Sequence, residues 1–245
     1  MNTVIIVQAR LGSTRLPGKI LKDVAGKPLL EHLVLRLRRI RNADRVVIAT
    51  TDNPRDLPIV ALCKKIAVDY FQGSEQDVLL RYFDAATQYQ ADNIVRINSD
   101  CPLIDPAVAE KVIQYFLDRR KELDYASNIL ESSYPIGMHT EIFPFSVLQR
   151  TNLESVDPVE RENVTPFIYR NPKIFRLASV VYGGQDLSHH RWTLDYPEDY
   201  ELIKRIFDAL YPLKPDFDMM DILELLKKHN DWPELNAHLK KKQTV

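Results

Sequence analysis

Three short runs rich in β-branched residues, Thr3–Gln8, Arg45–Thr50 and Asn93–Asn98, are separated by longer stretches with helical periodicity. That alternation is the feature that most restricts the fold, because consecutive parallel strands need long crossovers and amphipathic helices supply them. Between the first two runs, Leu29, Leu30, Leu33, Val34, Leu37 and Ile40 fall on one helical face. Asp77–Tyr89 and Asp105–Arg119 also read as helices, each opening on an aspartate suited to capping. The spacing predicts an α/β sheet that is mostly parallel and covered by helices. Ligands of such sheets bind outside the carboxyl ends of the strands, where Arg10–Lys19 and Asn98–Asp105 both fall.

From about Asp124 the pattern changes. Tyr125–Ile129 and Thr140–Phe143 read as strands, Pro158–Arg170 as a helix interrupted at Pro166, and Ile174–Tyr182 as a β-branched and aromatic run. Residues 124–182 are expected to form a substrate-side insertion. Glu198–Leu210 returns to helix, a last helical piece covers Asp218–His229, and 211–245 reads as a C-terminal helical extension ending in a frayed Lys240–Val245 tail. A chain of 245 residues can bury one substantial core, so 1–245 is expected to be a single domain with these embellishments.

With 33 basic against 34 acidic residues, the formal charge is -1, which argues against a general nucleic-acid or membrane-surface binder. The absence of an apolar run near the roughly 20 residues of a bilayer span, and of a cleavable leader, makes cytoplasmic residence the expectation. Cys63 and Cys101 lack metal-site spacing and are expected to be free, buried thiols.

The chemistry concentrates in Arg10-Leu-Gly-Ser-Thr-Arg-Leu-Pro-Gly-Lys19, directly after the apolar run Val4–Val7. Gly12 and Gly18 allow close backbone approach to an anion, Ser13 adds a hydroxyl, and Arg10, Arg15 and Lys19 offer charge-assisted hydrogen bonds. A phosphate-binding loop is the reading; a solvated basic loop is its bland rival. A Walker A loop is excluded, because five residues separate the glycines and Ile20, not a hydroxyl residue, follows Lys19. A dinucleotide fingerprint is absent as well. Any metal must therefore be held elsewhere. Asp100, just past the run ending at Ile97, and Asp195 in His190–Asp199 are the candidate hard oxygen ligands for magnesium. The alternative use of such residues is helix capping, which suits Asp105 and is open to Asp195 and Asp199.

Arg10–Lys19, Asn98–Pro106 and Thr193–Glu201, with Gly73–Arg81, Asp124–Asn128, Glu160–Pro166 and Leu187–Trp192, resemble the cytidylyltransferases that make CMP-sugars. CMP-Kdo synthetases, acylneuraminate cytidylyltransferases and above all the spore coat polysaccharide biosynthesis protein F group share this frame. The resemblance runs from Val4 to about Leu210. It implies a doubly wound, Rossmann-like nucleotidyltransferase fold, and transfer of CMP from CTP to a hydroxyl of a sugar, sugar acids foremost, with release of pyrophosphate. It further implies that Arg10, Ser13, Arg15 and Lys19 bind the triphosphate, with Gly12 in the same loop. Asp100 and Asp195 would hold magnesium, and Asn98 would contact the nucleotide. Ser74, Asp77 and Arg81 would lie near base and ribose, although Asp77 also suits a helix cap. Lys19, with Arg10 and Asp100, would carry the catalytic electrostatics. A homodimer joined through Tyr125–Tyr182 is the family-based expectation.

Tyr134–Phe143 keeps the Tyr-Pro…Gly…Glu…Phe frame but carries Ile136 and His139 where acids are common in the family. His139 is open to three readings: sugar contact, donor to an acidic group, or plain loop residue. Glu141, Arg161, Asn163, Thr165, His189 and Arg191 complete the acceptor-side candidates, with surface ion pairing to nearby Glu residues the alternative for the two arginines. Competing functions are transfer from another nucleoside triphosphate, a metal-dependent glycosyltransferase, and a noncatalytic nucleotide-sensing domain.

Overall fold

A computed structural model describes residues 1–239. Strands β1 (Thr3–Gln8), β2 (Asp23–Val24), β3 (Lys27–Pro28), β4 (Arg45–Thr51), β5 (Asp69–Gly73), β6 (Asn93–Asn98), β7 (Tyr125–Ser127), β8 (Glu141–Pro144) and β9 (Leu177–Ser179) alternate with helices α1 (Leu29–Leu37), α2 (Leu57–Lys65), α3 (Val78–Gln88) and α4 (Pro106–Asp118) through the first half. The second half adds α5 (Phe145–Glu154), α6 (Pro158–Asn163), α7 (Pro166–Tyr169), α8 (Pro197–Leu210), α9 (Met219–Lys228) and α10 (Glu234–Ala237). Seven strands form one sheet in the order β5-β4-β1-β6-β8-β7-β9, and β2 and β3 pair separately. The strands from β5 to β6 are mutually parallel, while β8 enters antiparallel to β6.

Both sheet faces are covered, which makes the fold doubly wound. Ile5, Val7, Ile48, Val95 and Ile97 pack with Leu30, Leu33 and Val34 of α1 and Ile113 and Phe116 of α4. Val4, Ile6, Val47, Ala49 and Ile94 pack with Leu79, Tyr82 and Ala85 of α3 on the other face. Strands dry on both sides must be apolar throughout, which is why these runs lack a polar alternation. A third apolar cluster joins Leu103, Trp192, Leu194, Phe207, Phe217 and Ile222, and so ties the C-terminal helices to the loop that carries Asp195.

Several elements differ from the sequence reading. The first helix stops at Leu37, and Ile40 is buried from the turn beyond it. Strand β5 was not foreseen because Asp69-Tyr-Phe-Gln-Gly73 is a half-exposed edge strand without a clear apolar run. Neither α2 nor α5 was foreseen; α2 follows a 3-10 turn, Pro54–Asp56, capped by Asn53, whose side chain accepts the Arg55 N–H, and Pro58 stands in the first turn of α2 itself. The stretch 158–170 splits into α6 and α7. Buried Val164 sits between them in the left-handed region at φ 71°, a strained conformation for a β-branched residue, and Pro166 starts the second piece. In 124–182, strands β7, β8 and β9 extend the main sheet itself. Asp77 and Asp105 cap α3 and α4 by accepting from the Leu80 and Ala107 N–H groups. Cys63 and Cys101 are free and buried, with burial pushing the Cys63 thiol up to about 12. Among the described residues no helix is long and apolar enough to cross a membrane. The expected frayed tail, Lys240–Val245, lies outside the described residues.

Candidate active site

Parallel pairing aligns the carboxyl ends of β1 and β6, with Gln8 opposite Asn98, so the loops that follow leave the sheet side by side. The first folds back on itself: Ser13 and Gly18 donate backbone N–H bonds to the Leu11 carbonyl, and the Ser13 hydroxyl accepts from the Leu16 N–H. Its two glycines meet different surroundings. Gly18 adopts φ 65°, whereas a Cβ on Gly12 would meet the Arg55 guanidinium at 3.2 Å. The loop is anchored where the Leu11 N–H donates to Asp56, a buried carboxylate that also receives the Thr51 hydroxyl.

Lys19 begins a short 3-10 turn and sends its ammonium to the centre of the cleft. It donates to the Leu194 carbonyl at 2.5 Å, to Asp195 Oδ1 at 2.9 Å and to Asp100 Oδ2 at 3.4 Å. Burial works against that charge, but the Asp100 and Asp195 carboxylates more than offset it and hold the Lys19 pKa above the ordinary lysine value. For Asp195 burial would raise the pKa; Lys19 first, then Arg15 and Arg191, reverse that and keep it ionised below the usual range. Arg15 donates to Asp195 Oδ1 at 2.7 Å and lies over the Tyr196 ring. Asp100 and Asp195 are thus brought together from segments 95 residues apart in the chain, stitched by the Leu194 N–H and the Thr193 hydroxyl, both donating to the Asp100 carbonyl.

Asp199 holds this arrangement from beneath. It is fully buried, accepts two bonds from Arg191 at 2.9 Å, and also accepts from the Asp195 and Tyr196 N–H groups and from Asn236 Nδ2. Of the two possible caps at this helix start, Asp199 takes the task and Asp195 faces Lys19. Gly137 fixes the other side: a Cβ there would lie 2.7 Å from the Trp192 carbonyl oxygen, and its φ of 110° favours glycine.

Among the nucleotide-side candidates, Ser74, Asp77 and Arg81 bond to one another. Arg81 is buried in α3 and donates to the Ser74 carbonyl at 2.5 Å, and the Ser74 hydroxyl accepts from the Asp77 N–H. Asn98 ends β6 and buries its side-chain oxygen without a hydrogen-bond partner among the described residues; Gln8, its register neighbour, does the same. Arg10 reaches across to α6 and donates to Glu162 at 2.8 Å.

The acceptor-side candidates scatter. Glu141 is 2 % exposed and saturated by Arg96 and the Tyr125 hydroxyl, so it works inside the sheet rather than at the cleft. Arg161 turns inward to Asp77, Asn152 and the Ser155 carbonyl. Arg191 is committed to Asp199 and Asp195, a buried pairing with aspartates rather than the surface pairing with glutamates that was its alternative reading. Asn163 donates back to the Val159 carbonyl, and Thr165 is buried beside strained Val164. His139 is half-buried in the loop before β8, and His189 is exposed with its ring 4.1 Å from that of His190. The sequence reading overlooked Gln8, Asp56, Glu162 and Asn236. Gln8, a polar residue closing an apolar strand, carried a signal in the chain itself, and Glu162 lies within the Glu160–Pro166 motif.

His190 supplies a test of the scaffold. Burial first, then its neighbour His189, lowers its pKa to about 4. The unfolded chain therefore binds this proton more readily than the folded one, and the resulting stability loss grows as pH falls from about 6.5 towards 4. Thermal melts should be flat in this respect above pH 6.5 and decline below it, and His190→Gln should shrink the decline.

A doubly wound sheet whose first loop sets Arg15 and Lys19 against the carboxylates of Asp100 and Asp195 at the carboxyl edge defines a nucleotidyltransferase. Residues 4–231 match the cytidylyltransferase family, and the chain belongs to it. It is 33% identical over 250 residues to an uncharacterised protein of Methanocaldococcus jannaschii, covering 99% of this chain and 97% of that one. It is 31% identical to the spore coat polysaccharide biosynthesis protein SpsF of Bacillus subtilis, over 94% of this chain and 97% of the relative. A cytidylyltransferase structure from Leptospira borgpetersenii superposes with a TM-score of 0.90 at 32% identity, covering 99% and 100% of the two chains. A CMP:2-keto-3-deoxy-manno-octonic acid synthetase complexed with CTP shares the fold, with a TM-score of 0.64 at 21% identity over 85% of this chain and 99% of that one.

Proposed function

We propose that the protein transfers CMP from CTP to a hydroxyl of a sugar-class acceptor, releasing pyrophosphate, in the assembly of a surface polysaccharide or glycoconjugate. The observation that carries this reading is the convergence of Lys19, Arg15, Asp100 and Asp195 at the mouth of the Arg10–Lys19 loop. Nucleotidyl transfer depends mainly on positioning and charge neutralisation, and this site is built from charges. Arg10, Arg15 and Lys19 exchange their carboxylate partners for phosphate oxygens, and Lys19 is best placed to stabilise charge gathering at the α-phosphate. The acceptor oxygen attacks in line, its bond to the α-phosphorus forms as the bond to the α–β bridging oxygen breaks, pyrophosphate leaves, and the hydroxyl proton passes to solvent.

The donor set fits magnesium. Asp100 and Asp195 present hard oxygens to one shared cation, the Lys19 ammonium, and no group of three His, Cys, Asp or Glu residues that could hold a metal occurs among the described residues. Two carboxylates completed by water and phosphate oxygens is the usual protein share for this ion. When bound by Asp100 and Asp195, magnesium supplies further neutralisation of the triphosphate. The relatives named for 3-deoxy-manno-octulosonate and for spore coat polysaccharide support a sugar-class acceptor.

The test presents each of the four nucleoside triphosphates with a panel of neutral, phosphorylated and acidic sugars, with and without magnesium, and follows pyrophosphate. CTP should be preferred and chelation should stop release. Asp100→Asn should lower magnesium-dependent turnover about 100-fold or more, the usual scale for losing one electrostatic contributor. Preference for another triphosphate would overturn the nucleotide assignment. Transfer without pyrophosphate release would favour a glycosyltransferase, and near-normal Asp100→Asn activity would remove that residue from the metal site.

A further inference from the structure

Resting on the proposed CMP transfer with Asp195 as a metal-side carboxylate, we infer that Asn236 in the C-terminal helix α10 is a positioning residue of the reaction. It holds Asp199 and Arg191, and through them it orients Asp195. The match to the cytidylyltransferase family ends at residue 231, so Asn236 lies beyond the segment that defines the family. Folding brings it back to the site. Its side chain is 2 % exposed, and Nδ2 donates to Asp199 Oδ1 at 2.9 Å and to the Arg191 carbonyl at 2.9 Å. Both partners only accept, so the amide nitrogen with its two hydrogens is the end that must face them. Neighbouring side chains dock the helix: Trp232 and Leu235 pack against the apolar cluster that holds Ile203, Ile206 and Phe207 of α8, and the Arg205 guanidinium lies over the Trp232 ring.

Two sets of contacts join Asn236 to Asp195. In the first, Asp199 accepts from Asn236 and from the Arg191 guanidinium, and fixes the Asp195 backbone by accepting its N–H at 2.9 Å. In the second, Asn236 pins the backbone of Arg191, whose guanidinium donates to Asp195 Oδ2 at 3.3 Å. Lys19 and Arg15 reach the other oxygen, Oδ1. In the proposed reaction these two cations turn to phosphate, which leaves the contacts backed by Asn236 to orient Asp195 during transfer. A residue without donors at 236 would leave the Arg191 carbonyl unpaired and take one hydrogen bond from a fully buried carboxylate, the costly way to lose such a bond. Arg191 and Asp199 would shift to recover partners, and Asp195 would shift with them. Groups that support metal-binding residues from behind typically change metal affinity or activity by about 10- to 100-fold when removed.

The experiment uses the full chain as wild type, Asn236→Leu, Asn236→Ser and Leu226→Ala. Leucine removes both hydrogen bonds at similar volume, serine keeps one donor as a milder change, and Leu226→Ala opens a cavity in the same apolar cluster away from Asn236. Melting temperatures are measured first, and binding and rates are then followed below the lowest of them. Mn2+ affinity of the protein–CTP complex is read by electron paramagnetic resonance against CTP alone, CTP affinity without metal by calorimetry, and kcat by pyrophosphate release. Asn236→Leu should weaken Mn2+ binding and lower kcat by about tenfold or more, with metal-free CTP affinity unchanged, and Asn236→Ser should fall between it and wild type. Leu226→Ala should lower the melting temperature and leave Mn2+ affinity at the wild-type value. A wild-type CTP complex that holds Mn2+ no better than CTP alone overturns the metal reading of Asp195, and the inference with it. If the wild-type complex does hold Mn2+, then unchanged affinity and kcat in both Asn236 variants, or an equal loss of affinity in Leu226→Ala, overturns the inference alone.

Discussion

Lys19→Met is expected to lower kcat by about 100- to 1000-fold while leaving the chain folded, the scale observed when one preorganised donor to a developing charge is removed. The ammonium touches both candidate metal ligands and the Leu194 carbonyl, so its loss removes the charge that organises the centre of the cleft. Methionine keeps the apolar stem of the side chain, which is nearly buried. Lys19→Arg should rescue poorly, because a planar fork cannot place a compact charge against three oxygens converging from different directions. The measurement is steady-state pyrophosphate release at saturating CTP, with circular dichroism to confirm folding. If kcat changes by less than about fivefold, well short of that scale, Lys19 is a counter-ion of the two aspartates and contributes little to catalysis.

Asp199→Ala should be the most destabilising single change around the site. It strands Arg191 in a buried position and removes the acceptor for the Asp195 and Tyr196 N–H groups and for Asn236. Breaking a buried, hydrogen-bonded pair costs roughly 3–5 kcal/mol, which for a domain of this size lowers the melting temperature on the order of 10 °C. Asp195 should also lose its orientation, so activity measured below the new melting temperature should fall. Double-mutant analysis with Arg191→Ala is the check. Strong coupling is expected, since either change alone leaves a partner unpaired, and additive effects would contradict the pairing.

Much of the fold was legible because its logic is local. The runs Thr3–Gln8 and Asn93–Asn98 have to be interior strands, Leu29 to Leu37 has to lie along one helix face, and Asp77 and Asp105 had cap chemistry written next to their helices. What stayed hidden was local sequence that tertiary contacts overrode. Asp69–Gly73 becomes a strand only because β4 offers it an edge, and Val164 takes a left-handed conformation because the surrounding packing holds it there. Within the site, Arg10–Lys19 and the aspartates at 100 and 195 could be named as chemistry-bearing residues from type and spacing. Their partnership could not, since it depends on which loops the sheet order places side by side.

The same division separates the two halves of the proposed reaction. Cations, glycines and strand ends in the Arg10–Lys19 loop are properties of a short segment, so the sequence by itself marked this loop as the candidate phosphate grip. The acceptor side is assembled from residues whose charges are meaningful only once paired. Arg161, Arg191 and Glu141 look available in the chain, but folding spends them on Asp77, Asp199 and Arg96, because a buried charge must find a counter-charge before it can serve a ligand. Only the tertiary structure decided that Arg10 is set against Glu162, which lies 152 residues further along the chain.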